Sequence, residues 1–221
     1  MKFRRKGKSE DDSEPTSADL AEDADSDDAG EVIPTGPYDV NDLDKAELEA
    51  EDRIDLGGLV ITGIPGMELR LQVDEQTNEV QAVLLVVSDS ALELRAFAAP
   101  KTAGIWSEVR REIAAEATRM GGTATEGTGP FGPELTLVVP VQDPGGQMYS
   151  QTSRVIGVDG PRWLLRATVL GRAAVEPDAA EPMIDTLRNV IVVRGNEPMA
   201  VRESLPLRLP EGAQPNDTEQ A

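Results

Sequence analysis

Two arginines four residues apart on one predicted strand are the residues best placed to do chemistry. The Asp-Gly pair at residues 159–160 is typical of a two-residue hairpin loop. This loop predicts that Gly157 lies opposite Arg162 and that Ser153 lies opposite Arg166. The two guanidinium groups then project from one face, roughly 13 Å apart, beside open space at the glycine. Ser153, Arg162 and Arg166 are therefore our candidate ligand-binding residues, for a ligand with a carboxylate or phosphate group.

An ordinary structural interpretation stays open for the same surface. Arginines are common on the polar side of a strand, where water solvates them. A helix that covers the face and pairs the arginines with acids would explain them equally well.

The composition removes most of the usual catalytic groups. The 221 residues include no histidine and no cysteine, which excludes a serine–histidine triad, a thiol nucleophile, disulfides and zinc sites built from either side chain. Lys101 is the only lysine between residues 53 and 210. We find no spacing of nucleophile, base and orienting group, so we expect no catalytic residue, no metal site and no cofactor. Whether the protein is an enzyme stays open, and recognition is the favoured role.

Charge divides the chain into three parts. The net charge is −20, and residues 1–55 contribute −12 of it from 19 acids and 7 bases. Residues 9–31 hold 11 acids and no base, so this segment repels itself and buries too little apolar surface to offset the entropy of ordering. We predict a disordered basic-then-acidic arm at 1–52, a single domain at 53–210 and a disordered tail at 211–221.

The first eight residues carry a cluster of bases. They could contact RNA, an anionic membrane surface or an acidic protein partner through Lys2, Arg4, Arg5, Lys6 and Lys8. The alternative is a solvated terminus that the acids of the arm partly neutralise. The charge of −20 argues against broad binding of nucleic acid.

The sequence contains no candidate membrane segment. No stretch approaches the roughly 18 apolar residues that a transmembrane helix needs. Acids and serines follow the basic start, where a signal peptide would be apolar. We therefore expect a cytoplasmic protein.

Apolar and polar residues alternate along much of the domain, which predicts β-strands joined by tight turns. Clear examples are residues 67–73, residues 92–98 and the hairpin that spans 153–170. These short connections favour an antiparallel sheet.

Two segments have helical spacing instead. Apolar residues recur at helical intervals over residues 105–120, and Thr102 is placed to cap that helix. A second helix is predicted over about 179–189. The predicted fold class is α+β, with a mostly antiparallel sheet of about seven strands, two packing helices and the disordered acidic arm.

Four strings in the domain resemble an actinobacterial family that is classified as a domain of unknown function, number 3710 in that series. The strings are residues 97–106 (FAAPKTAGIW), 129–135 (GPFGPEL), 154–163 (RVIGVDGPRW) and 205–210 (LPLRLP). The similarity covers roughly residues 53–210 and the charged arm. It implies a cytosolic actinobacterial protein, and it implies no activity, cofactor or catalytic residue.

Three functions are compatible with these observations. The favoured hypothesis is a non-enzymatic protein-interaction or adaptor domain, with an unknown protein partner and an acidic regulatory arm. The alternative is a domain or enzyme that binds a small anionic ligand on the face with Arg162 and Arg166. The third hypothesis is RNA contact through the basic N-terminus.

Overall fold

The computed structural model describes residues 36–63, 65–74 and 79–208. The strands in this part of the chain are β1 (Tyr38–Asp39), β2 (Arg53–Asp55), β3 (Leu59–Thr62), β4 (Glu68–Val73), β5 (Val80–Val87), β6 (Ser90–Ala98), β7 (Thr123–Gly129), β8 (Gly132–Gln142), β9 (Met148–Gly160), β10 (Trp163–Gly171) and β11 (Ile191–Val192). The α-helices are α1 (Lys45–Leu48), α2 (Trp106–Arg119) and α3 (Pro177–Arg188). The basic cluster at residues 2–8 and the tail at 211–221 lie outside the described residues.

Seven strands form one antiparallel sheet in the order β4-β5-β6-β10-β9-β8-β7. This sheet confirms the predicted α+β class and the mostly antiparallel pairing. The two predicted packing helices are present as α2 and α3, and the described residues also contain the single-turn helix α1. Its capping box, in which Asp44 and Glu47 bind each other's backbone N–H groups, explains why so short a helix forms there.

A second sheet of four short strands, in the order β1-β11-β3-β2, was not predicted. Its first strand lies within residues 1–52, where we predicted a disordered arm. Tyr38 and Asp39 pair in parallel with Ile191 and Val192, and a buried hydrogen bond from Trp163 holds the Asp39 carboxylate. Residues 38 and 39 therefore belong to the folded structure.

The larger apolar core covers one face of the seven-stranded sheet, which we call the first face. Burial alternates along β6, where Leu92, Leu94 and Ala96 are buried while Glu93 and Arg95 are partly exposed. The buried residues pack with α3 and with strands of the four-stranded sheet. Burial of each such leucine side chain stabilises the folded state by about 1.5–3 kcal/mol relative to leaving it exposed. The alternation therefore decides which face of β6 points inward.

A smaller apolar cluster lies on the opposite face, which we call the second face. It joins Trp106 and Ala117 of α2 to Leu135, Val155 and other apolar side chains of the sheet. The helical spacing that predicted α2 is confirmed. The helix thus covers β7, β8 and part of β9 on this face.

The cap of α2 comes from a distant part of the chain, so the prediction that Thr102 caps it is wrong. The residue before the helix, Ile105, provides no side-chain cap. The carboxylate of Asp159 accepts hydrogen bonds from the backbone N–H groups of Ile105 at 2.8 Å and of Trp106 at 3.1 Å. A carboxylate at this position satisfies free N–H groups and interacts favourably with the helix dipole.

The hairpin between β9 and β10 turns at residues 161–162, two residues later than predicted. Gly160 lies opposite Trp163, and Gly157 lies opposite Arg166. Proline suits the first turn position because its φ angle is fixed, and Arg162 takes a left-handed φ of 68° in the second. Asp159, which we placed in the loop, lies instead in β9, and its carboxylate accepts a hydrogen bond from the backbone at the start of α2.

None of the α-helices in the described ranges is both long enough and apolar enough to cross a membrane.

Candidate anion-binding site

The structure does not bring the three predicted ligand-binding residues together. Arg162 lies in the turn, where its carbonyl accepts a hydrogen bond from the N–H of Ala99 at 2.7 Å. Ser153 is buried within β9 and lies opposite Leu170. Arg166 lies in the middle of β10, away from both. Of the predicted surface, Arg166 alone keeps a place at the candidate site, with neighbours that we did not predict.

The predicted open space at Gly157 is also wrong, because the indole ring of Trp106 fills it. A Cβ atom added to Gly157 would lie 2.1 Å from the Cδ2 atom of Trp106. The ring is fixed by a hydrogen bond of 2.7 Å from its Nε1 to the carbonyl of Pro133. Gly157 therefore serves the packing of α2 on the sheet.

A different set of residues surrounds Arg166, and we call it the arginine cluster: Gln72, Glu93, Arg95, Phe97 and Arg166. Arg95 of β6 lies directly opposite Arg166 of β10, a position in which like charges destabilise strand pairing. The Oε1 atom of Glu93 lies 3.1 Å from Nε of Arg95 and 3.7 Å from Nη2 of Arg166. One carboxylate oxygen therefore forms ion pairs with two guanidinium groups.

Gln72 and Phe97 orient the two arginines. Nη2 of Arg95 donates a hydrogen bond of 3.1 Å to Oε1 of Gln72 on β4. The guanidinium carbon of Arg166 lies 5.5 Å from the centre of the Phe97 ring, which is a cation–π distance. Phe97 also packs against the apolar cluster under α2, so the arginine cluster borders that apolar region on the second face.

The cluster is only partly accessible to water. The side chains of Arg95, Glu93 and Arg166 are 27%, 17% and 23% exposed. Burial lowers the pKa of the Arg166 guanidinium below its usual value, the charge of Arg95 lowers it further, and Glu93 opposes both effects. An arginine stays protonated in proteins, so this direction means that the positive charge of Arg166 is held in an unfavourable position.

Arg166 also contains a buried donor atom that its neighbours do not use. Its Nε atom is buried and has no hydrogen-bond partner, and the same holds for Nε of Arg95, whose contact with Glu93 is an ion pair without a hydrogen bond. A buried donor without a partner costs about 1–3 kcal/mol. Two guanidinium groups and one carboxylate leave a net charge of +1, so the cluster is suited to donate hydrogen bonds to the oxygen atoms of an anion.

Arg95, Glu93, Gln72 and Phe97 were not predicted as site residues. The sequence does contain one signal, since Glu93, Arg95 and Phe97 are the alternate residues of β6 that face away from the larger core. Their meeting with Arg166 depends on the pairing of β6 with β10, strands that are far apart in the chain.

Other parts of the surface hold weaker candidates. Lys101 is exposed in the segment before α2. Within the described residues, no three acidic side chains group closely enough to hold a metal ion. A cavity of about 330 Å³ lies beside α2 and is lined by Glu112, Ile113, Glu116, Ala117, Met120 and Leu137. It does not include the arginine cluster.

Comparison with known proteins gives a family for this fold. Residues 36–216 match the family described as "Protein of unknown function (DUF3710)". The chain belongs to the DUF3710 family. The resemblance seen in the sequence is therefore confirmed, and the match begins earlier than the domain boundary that we predicted, close to β1.

The remaining comparisons bring no function to this DUF3710 chain. No curated protein matches it. A crystal structure at 1.50 Å resolution of a protein from Bacteroides thetaiotaomicron VPI-5482 is similar to it, with a TM-score of 0.38 and 10% sequence identity. The similarity covers 66% of this chain and 49% of the other, so the DUF3710 chain spans about half the length of that neighbour.

Proposed function

We propose that the domain is a non-enzymatic recognition module that binds a carboxylate or phosphate group at Arg95 and Arg166. The observation that carries this proposal is the sharing of one Glu93 oxygen by two guanidinium groups. The cluster keeps one positive charge in excess, in a protein whose total charge is −20. An anionic ligand supplies the missing negative charge.

The surroundings of the cluster strengthen such an interaction. Attraction between charges that are partly removed from water is screened less than at an open surface. Gln72 and Phe97 hold the two side chains in defined orientations, which reduces the entropy lost on binding. The planar fork of a guanidinium group matches a carboxylate or phosphate with two parallel hydrogen bonds.

Recognition is favoured over turnover by the kinds of groups present. Guanidinium, amide and phenyl groups bind and orient a ligand, and Glu93 is the one carboxylate in the cluster. Both arginines already engage it. The sequence offers no histidine or cysteine to act beside it.

The anionic group could come from a protein or from a small molecule. An acidic side chain on a partner protein would make this a protein-interaction or adaptor domain, as the sequence favours. A free anion would make it a ligand-binding domain. The regulatory role of the acidic arm and the contact of Lys2–Lys8 with RNA stay predictions, because those residues lie outside the described part of the chain.

The experiment is thermal unfolding at low ionic strength with three probes: inorganic phosphate, citrate and a glutamate-rich hexapeptide. Sodium chloride at equal ionic strength is the reference. A ligand at ten times its Kd raises the free energy of unfolding by about 1.4 kcal/mol. The variants are Arg95→Met and Arg166→Met. Arg172→Met is the matched control, because Arg172 is 53% exposed and lies outside the cluster.

We expect one or more probes to stabilise the parent protein and the Arg172→Met control, and to lose this effect in Arg95→Met and Arg166→Met. The single variants should fold, because each removes one of two like charges in register. A response to citrate or phosphate alone indicates a small ligand, and a response to the peptide indicates a protein partner. Equal responses in all four proteins, or none in the parent, would contradict the proposal.

A further inference from the structure

The strand β5 is apolar on both of its faces. Its second half has the sequence VLLVV, and a continuous apolar run is typical of a strand that is buried on both sides. Val83, Leu85 and Val87 pack in the larger core on the first face. Leu84 and Val86 point to the second face, where they are half-buried and belong to neither apolar cluster. The core therefore explains only one face of this strand.

Val86 is part of a mostly apolar row that crosses the second face. Val86 lies opposite Ala91, and Ala91 lies opposite Leu170. Leu170 lies opposite Ser153, and Ser153 lies opposite Leu137. We call these five residues the apolar row, which spans about 19 Å from β5 to β8. Leu137 also lines the cavity beside α2, so the row leads into that cavity.

In the described part of the chain, the β5 end of the apolar row lies beyond α2 and α3. The helix α2 covers β7, β8 and part of β9, and α3 packs in the larger core on the first face. Ala91 and Leu170 are half-buried and, like Val86, belong to neither apolar cluster. Apolar surface that reaches solvent outside a core is a common feature of ligand-binding grooves.

The arginine cluster lies on the same face as the apolar row. Arg166 and Leu170 are four residues apart on β10, so their side chains share a face at a distance of about 13 Å along the strand. Leu84 lies at the intermediate level of the sheet, opposite Glu93 of the cluster. Excess positive charge and unexplained apolar surface are therefore neighbours.

We propose that the ligand of the arginine cluster is a linear aliphatic carboxylate. Arg95 and Arg166 bind its charged group, and its chain passes Leu84 and lies along the apolar row. This inference rests on the proposed function and adds the chemical class of the ligand. One carboxylate balances the excess charge of +1 in the cluster, and the chain removes the half-buried side chains of Val86 and Leu170 from water.

The test is an NMR titration of the nitrogen-15-labelled full chain with acetate, hexanoate and octanoate at equal, low ionic strength. A fully buried CH2 group tightens binding about fourfold, so octanoate should bind at least tenfold more tightly than acetate even on a half-buried surface. The uncharged 1-hexanol should bind at least tenfold more weakly than hexanoate. Octanoate should shift the amide resonances of residues 84–86 and 168–170, which acetate should leave in place.

Two variants separate the chain from the charged group. Val86→Thr replaces a methyl group by a hydroxyl of similar size on a residue that favours strands, and it should weaken octanoate binding at least threefold without affecting acetate. Val73→Thr is the matched control, because Val73 is exposed on β4 and lies outside the apolar row. Arg166→Met should weaken the binding of both carboxylates at least tenfold.

The outcomes distinguish this inference from the proposed function. Equal Kd values for acetate and octanoate, or unchanged octanoate binding in Val86→Thr, would overturn the aliphatic ligand and leave the anion site in place. Tighter binding of the glutamate-rich hexapeptide than of octanoate would also overturn it, in favour of a protein partner. If no carboxylate binds, or if Arg166→Met has no effect on binding, the proposed function is contradicted as well.

Discussion

The indole Nε1 of Trp163 donates a buried hydrogen bond of 2.7 Å to the Oδ2 atom of Asp39, a residue 124 positions earlier in the chain. Trp163 is the first residue of β10 in the large sheet, and Asp39 ends β1 in the small one. The other oxygen of Asp39 accepts hydrogen bonds from the backbone and side chain of Asn41. The Oδ2 atom thus joins the two sheets, and the Oδ1 atom holds the turn that follows β1.

Asp39→Asn should lower the free energy of unfolding by about 1–3 kcal/mol, because an amide has one acceptor oxygen where the carboxylate has two. Either Trp163 or Asn41 then faces an NH2 group. Urea unfolding followed by tryptophan fluorescence measures the change. Asp42→Asn, at an exposed position, is the control with the same charge change. Equal stability of the two variants would show that the hydrogen bond contributes nothing measurable.

Gly157→Ala should destabilise the protein by about 1–3 kcal/mol through overpacking. The new methyl group would meet the Trp106 ring at 2.1 Å. The control is Gly127→Ala, where a Cβ atom meets nothing within 4 Å. Thermal unfolding distinguishes the two. Destabilisation of both variants to the same extent would point to a general intolerance of alanine in the sheet.

Asp159→Ala should lower the free energy of unfolding by about 0.5–2 kcal/mol, the usual effect of losing a helix cap. The N–H groups of Ile105 and Trp106 would lose their acceptor. Hydrogen exchange should then increase most in the first turn of α2. Asp52→Ala, at an exposed position, is the control. Unchanged exchange at residues 105 and 106 would contradict the role of Asp159 as a cap.

Glu93→Gln should have opposite effects on stability and on anion binding. Removal of the shared carboxylate raises the net charge of the arginine cluster from +1 to +2, so the free energy of unfolding should fall by about 1–3 kcal/mol. Stabilisation by phosphate or citrate should become larger. The control is Glu68→Gln, which breaks the exposed pair with Arg70. A destabilised Glu93→Gln protein without a larger anion response would mean that ligands do not reach the charge.

The hairpin shows which features the sequence could predict. The alternation of β9 and β10 correctly places Ile156, Trp163 and Leu165 in the larger core. The turn lies two residues from its predicted place, and a shift of two residues leaves every side chain on the same face. Asp159, which the pattern placed in the loop, lies in β9 and caps α2, and a contact between such distant segments is contained in no local pattern.

The candidate site was less predictable than the fold because its residues come from strands that are far apart in the chain. The sequence identified Arg166 through its position on a strand, but its partners come from β4 and β6. The polar residues of an alternating strand are equally suited to solvent or to a binding surface. Only the order of strands in the sheet brings Arg95 opposite Arg166.

The parallel pairing of β1 with β11 has a consequence for synthesis on the ribosome. Tyr38 and Asp39 leave the ribosome early, but their strand partners Ile191 and Val192 are among the last residues of the folded structure to be made. The antiparallel strands between them can pair with close neighbours while translation continues. Until β11 emerges, the nascent chain exposes the apolar side of β3 and part of the main core, so this is the stage at which we expect chaperones to bind it.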